Sequence, residues 1–103
     1  MDNLEHEFSP THPGELLREE IEYRQLSQSS LAKQMGISCS ELSDFLNQRR
    51  SLTIRTALLF EAALGINADI LVRMQMKYNI QIARRDKKFA RRLAEIRKAV
   101  SAV

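Results

Sequence analysis

The stretch Leu26-Ser27-Gln28-Ser29-Ser30-Leu31-Ala32-Lys33-Gln34-Met35-Gly36-Ile37-Ser38-Cys39-Ser40-Glu41-Leu42-Ser43-Asp44-Phe45-Leu46 decides the reading of this chain. Ser27 suits the N-cap of a helix whose apolar side is Leu31, Ala32 and Met35. Gly36 stops that helix, because a glycine adopts the left-handed backbone without a Cβ penalty. Ser38 opens the next helix, and Glu41 three residues on completes a Ser-x-x-Glu capping box that would turn the glutamate back onto the backbone. Leu42, Phe45 and Leu46 are its apolar positions.

Two short helices joined by a three-residue turn containing glycine form the helix-turn-helix pattern. Counted from Gln28, the small Ala32 is fifth, Gly36 ninth, and Leu42 and Phe45 fifteenth and eighteenth. Each position meets a physical demand. The small residue lets the second helix approach closely, the glycine makes the turn, and Ile37 with the later pair fills the wedge.

Working outward, Thr11-His12-Pro13-Gly14-Glu15 reads as a helix start, with proline and an acid in the first turn. Leu16, Leu17 and Ile21 would form its buried stripe, with Glu20 and Arg24 paired on the wet face and an end near Tyr23 to Gln25. Thr53 caps a fourth helix carrying Ala57, Leu58, Phe60 and Leu64 and closed by Gly65. Asn67 caps a fifth that runs through Ile70, Leu71, Met74 and Tyr78. Beyond it, Ile82, Phe89, Leu93, Ile96 and Val100 recur at helical spacing opposite Arg84, Arg85, Lys87, Lys88, Arg91, Arg92, Arg97 and Lys98. That strip has three open readings: a coiled-coil seam, a strip that binds a partner protein, or a helix packed on its own domain. The expected organisation is a flexible arm over 1–11, a five-helix DNA-binding domain over 12–83, and a basic amphipathic helix over 84–103.

Composition narrows the function classes. With 44% apolar and 28% charged residues in 103, the chain reads as one globular domain. No apolar run approaches the length of a membrane span, and residues 1–11 carry Asp2, Glu5 and Glu7 without the apolar core of a secretory signal. One cysteine excludes an internal disulfide, and a cytoplasmic location is expected. The net charge of +3 conceals a division. Residues 1–48 hold three basic against nine acidic side chains, whereas residues 49–103 hold thirteen basic against four acidic. A basic half suits a polyanion and an acidic half a basic partner. No catalytic order, phosphate loop or cofactor motif is present, and His6 and His12 lack partners at metal spacing. Enzymatic activity, a cofactor and a metal site are therefore not expected.

His12-Pro13-Gly14-Glu15-Leu16-Leu17, Leu26-Ser27-Gln28, Gly36-Ile37-Ser38, Leu46-Asn47-Gln48-Arg49-Arg50, Leu52-Thr53, Leu64-Gly65, and Gln75 with Tyr78 together resemble the Xre/Cro-type helix-turn-helix proteins. Within these the resemblance is to the HigA-type antitoxins, and it spans roughly His12 to Ala83. Leu71 stands where such sequences usually place tryptophan, and Asn79 where they place aspartate. The resemblance implies an all-α, lambda-repressor-like fold. It also implies a dimeric antitoxin that represses its own operon and neutralises a small basic RelE-like endoribonuclease, the toxin that the C-terminal strip would bind in the second of its three readings.

In helix-turn-helix docking the third helix enters the major groove N-terminus first, and the second abuts the backbone. Cys39, Ser40, Ser43 and Asp44, with Asn47 further along, are then the base-edge candidates, and Ser38 joins them as a DNA-binding residue. Gln28, Arg49, Arg50 and Thr53 are the backbone candidates. The third helix itself carries no Lys or Arg. Asp44 would accept from a cytosine amino group or repel phosphate. With the homodimer that the resemblance implies, the target is a palindromic double-stranded operator with half-sites about 34 Å apart. Two rival readings remain: a stand-alone Xre-type regulator without a toxin, and a protein-interaction module whose helix-turn-helix no longer binds DNA.

Overall fold

The computed structural model describes residues 11–102, which form six α-helices and no strand. They are α1 (Pro13–Tyr23), α2 (Gln28–Met35), α3 (Cys39–Leu46), α4 (Ile54–Leu64), α5 (Ala68–Arg85) and α6 (Lys87–Ser101). This is the all-α arrangement of five helices and a basic C-terminal helix. The arm expected over residues 1–11 lies, Thr11 apart, outside the described residues.

Short polar side chains set the helix starts. Ser27, Ser38, Thr53, Asn67 and Asp86 each accept a hydrogen bond from the backbone N–H three residues on. Gly36 (φ 73°) and Gly65 (φ 74°) end α2 and α4 in the left-handed conformation. No glycine ends α1 or α3. There Gln25 (φ 56°) and Gln48 (φ 62°) take that conformation themselves, at roughly 1–2 kcal/mol each.

The helices enclose one core. Leu17 and Ile21 of α1 meet Leu31, Ala32 and Met35 of α2, then Leu42, Phe45 and Leu46 of α3. Leu52, Ala57, Phe60 and Leu64 close it with Ala68 and Leu71 of α5. Phe45 and Phe60 meet edge to face, with ring centres 6.0 Å apart and planes at 83°, a favoured aromatic geometry. Gly14 serves more than a helix start. A methyl group there would collide with the carbonyl oxygen of Phe45, so α1 crosses the end of α3 at a distance only glycine permits. Leu71, standing for the usual tryptophan, is completely buried.

Some apolar positions lie elsewhere than periodicity suggests. Leu16, Leu58 and Ile70 are exposed, while their neighbours Leu17, Ala57 and Leu71 fill the core. The C-terminal strip also needs correction. Helix α5 runs to Arg85, and the extended backbone of Asp86 (φ −68°, ψ 114°) breaks it before α6. Ile82, Arg84 and Arg85 therefore do not share a helix with Phe89, Leu93, Ile96 and Val100. Helix α6 contacts α5 but buries no residue, and Phe89, Ile96 and Val100 are exposed. The reading in which this strip packs on its own domain is not what the described residues show.

Candidate nucleic-acid interface

Helices α2 and α3 spend their apolar sides on the core, which leaves their starts in solvent. Gln28 is the first residue of α2 and is exposed, as are Ser38, Cys39 and Ser40 at the start of α3. The Ser38 hydroxyl accepts from the Glu41 N–H at 3.0 Å. The capping box expected there closes only by this half. The reciprocal box forms instead at α4, where Thr53 N–H donates to Thr56 Oγ1 (2.8 Å) and Thr56 N–H to Thr53 Oγ1 (3.2 Å). A glutamate on a short helix reaches its cap only from the right rotamer, and here Glu41 leaves the backbone N–H of Ser38 without it.

At the other end of α3 the side chains are tied down. Asn47 Nδ2 donates to the Ser43 carbonyl (3.0 Å) and to Ser43 Oγ (3.1 Å). Its Oδ1 accepts from Arg18 Nη1 at 3.3 Å. Arg18 escaped the sequence reading, which treated the wet side of α1 as a solvated surface. The available signal was Gly14, one turn earlier on the same face, which marks where α1 approaches α3.

The loop after α3 carries the densest bonding of the site. Arg49 N–H donates to the Asp44 carbonyl at 2.8 Å, and Arg49 Nε approaches Asp44 Oδ1 at 3.1 Å. Arg50 Nη2 lies 3.6 Å from Asp44 Oδ2, with its guanidinium 5.7 Å from the centre of the Phe45 ring. Further along, Leu52 N–H donates to Oε1 of the buried Gln75 at 2.8 Å. The other end of that amide donates to Asn79 Oδ1 at 3.0 Å, which pins its orientation. Asp44 is thus no isolated acid on the reading helix, since both its oxygens face arginines.

His12, which the sequence places at a helix start without partners at metal spacing, is 3% exposed. Its Nδ1 caps α1 by accepting from Gly14 N–H at 2.9 Å, and its ring meets Tyr78 edge-on at 4.9 Å. Burial lowers its pKa from the ordinary value of 6.5, and a backbone hydrogen bond with Arg50 opposes that shift. The same residue therefore ties α1, α5 and the arginine loop together. Of Gln75 and Tyr78, conspicuous in sequence without a stated task, Gln75 holds this loop from the α5 side and Tyr78 packs on the His12 ring.

The structure thus brings together Asp44, Arg49 and Arg50, and separately Ser43 and Asn47. Gln28 and Thr53 make no hydrogen bond to the other candidates among the described residues. Nor do three metal-ligating side chains gather there, and no described helix is long and apolar enough to cross a membrane.

The helix-turn-helix family matches residues 17–71, from the core of α1 to the first turn of α5. Virulence-associated protein I of Dichelobacter nodosus is 35% identical over 82 residues, covering 79% of this chain and 76% of that protein. An addiction module antidote protein of a HigA family from Coxiella burnetii superposes with a TM-score of 0.72 at 31% identity, covering 85% of this chain and 95% of its own. The antitoxin GraA superposes with a TM-score of 0.69 at 26% identity, covering 75% and 84%. With the matched segment spanning the turn, the capped third helix and the core that supports them, this chain belongs to the Xre-type helix-turn-helix family of non-enzymatic DNA-binding proteins.

Proposed function

We propose that this chain is a DNA-binding antitoxin which, as a homodimer, represses its own operon at a palindromic operator and neutralises a small basic RelE-like toxin. One observation carries the DNA half of the reading: α3 keeps its N-terminal turn exposed while its remaining face is locked into the core, with two arginines following on a braced loop. Cys39 and Ser40 address base edges, with Ser38, Ser43 and Asn47 beside them. Gln28, Arg49, Arg50 and Thr53 contact the sugar–phosphate backbone. The antidote and antitoxin neighbours support the toxin half. So does α1, whose exposed Glu15, Glu19 and Glu22 suit a basic partner.

The test is fluorescence anisotropy on labelled duplex from just upstream of the gene, against a scrambled duplex, at several salt concentrations. A preference of about a hundredfold or more is expected. Two or three arginine contacts per subunit predict a salt slope of roughly −4 to −6 for a dimer. Replacing Arg49 and Arg50 by Ala should weaken binding to both duplexes and flatten that slope. Equal, weak binding to both duplexes by the intact protein would reduce the helix-turn-helix to a scaffold. Co-purification with the neighbouring gene product checks the toxin half separately.

A further inference from the structure

Helix α3 carries no cation, so Arg49 and Arg50 are the first positive charges after the turn. Both are engaged by one carboxylate, one guanidinium to each oxygen of Asp44, at 3.1 and 3.6 Å. The loop does not depend on these pairs for its path. Its backbone is fixed by Arg49 N–H on the Asp44 carbonyl and by Leu52 N–H on Gln75. The guanidinium side chains are largely exposed, at 61% and 51%, and ion pairs that open to water stabilise a fold little. The effect of the carboxylate falls instead on the arginines, whose charge and position it holds.

We propose that Asp44 is a positioning residue, not a base-reading one: it holds Arg49 and Arg50 until the phosphates of a bound duplex displace it. This deepens the DNA-binding reading above and rests on it. Binding to an arbitrary sequence is almost wholly electrostatic. A carboxylate competing with phosphate for the same two guanidiniums therefore lowers the affinity for every duplex by the same step. On a matching site, base-edge and shape contacts by α3 add to the arginine contacts, and the complex persists where one on an arbitrary sequence does not. Asp44 thus sets the overall affinity and its salt dependence without touching a base.

The experiment compares the full chain with Asp44→Asn and Asp44→Glu on the upstream and scrambled duplexes across a salt series. Asp44→Asn should tighten binding to the scrambled duplex about two- to fivefold per subunit at low salt, the worth of an exposed ion pair. It should also tighten the upstream duplex by a similar factor, leaving the preference ratio unchanged, and steepen the salt slope by up to about 0.9 per subunit. Asp44→Glu, which keeps the charge, should return both affinities toward those of the unaltered chain. In a background with Arg49 and Arg50 both changed to Ala, Asp44→Asn should alter nothing, an outcome that an effect on folding would not produce. If Asp44→Asn instead weakens the upstream duplex tenfold or more and leaves the scrambled one unchanged, Asp44 reads a base and the proposal fails. Unchanged binding to both duplexes overturns it as well, with the DNA-binding reading intact. No binding by the unaltered chain overturns both together.

Discussion

Helices α3 and α6 are both amphipathic, yet only one of them is finished by the rest of the chain. Eight residues of α3 place Leu42, Phe45 and Leu46 in the core. Fifteen residues of α6 bury none. Helices as short as α3 are not stable alone in water, so its existence depends on the walls it packs against. Helix α6 has the length α3 lacks, but its charges oppose it. Lys87 and Arg91, like Lys88 and Arg92, are like-charged neighbours one turn apart, where repulsion destabilises. Amphipathic periodicity specifies which face of a helix wants cover. It does not specify whether cover exists within the chain.

The comparison breaks hardest at Phe45. Truncation to Ala removes the partner of Phe60 and the wall behind α3, and should cost about 3–5 kcal/mol in urea denaturation, enough to unfold most of a small domain. Gly14→Ala comes next. Its methyl meets the backbone of Phe45 rather than a movable side chain, so a loss of roughly 1–3 kcal/mol is expected. Chemical-shift changes should centre on the end of α3. A cost near zero would mean that α1 can slide away from α3.

His12 offers a smaller, pH-dependent test. Its folded pKa is lowered, so folding favours the neutral ring. The stability this contributes is fully present above about pH 6.5 and declines as pH falls through 6.5 toward the folded pKa, because the unfolded chain binds the proton more readily. Protonation at Nδ1 would also remove the acceptor for Gly14 N–H. Thermal melts should show a lower Tm on acidification through this window, and His12→Asn should reduce that slope. Replacing the cap by Ala should cost about 0.5–2 kcal/mol at neutral pH.

The smallest effect belongs to α6. Phe89→Ser or Ile96→Ser should move the stability of the isolated protein by no more than about 0.5 kcal/mol. Amides of α6 should exchange with solvent far faster than those of α3. A cost of 2 kcal/mol or more at Phe89, on the order of a buried side chain, would show that the strip is covered in solution and erase the contrast.

What the sequence determined by itself lies within a few residues of each position. Serine, threonine and asparagine caps act over three residues, the glycines at 36 and 65 stop their helices on the spot, and the spacing from Ala32 to Phe45 follows from the period of a helix. These are local effects, and they were enough for the all-helical architecture and for the helix-turn-helix. The tertiary structure alone decided the rest. It buried His12 against Tyr78 and joined Arg18 to Asn47 across 29 positions and Leu52 to Gln75 across 23. Asp44 shows the boundary between the two. It lies only five positions from Arg49, but its carboxylate meets that arginine because the chain reverses at Gln48, a left-handed residue that is no glycine and so gave no local warning. Contacts of this kind depend on where helices cross and how a loop turns, and a one-dimensional pattern of residue types does not encode either.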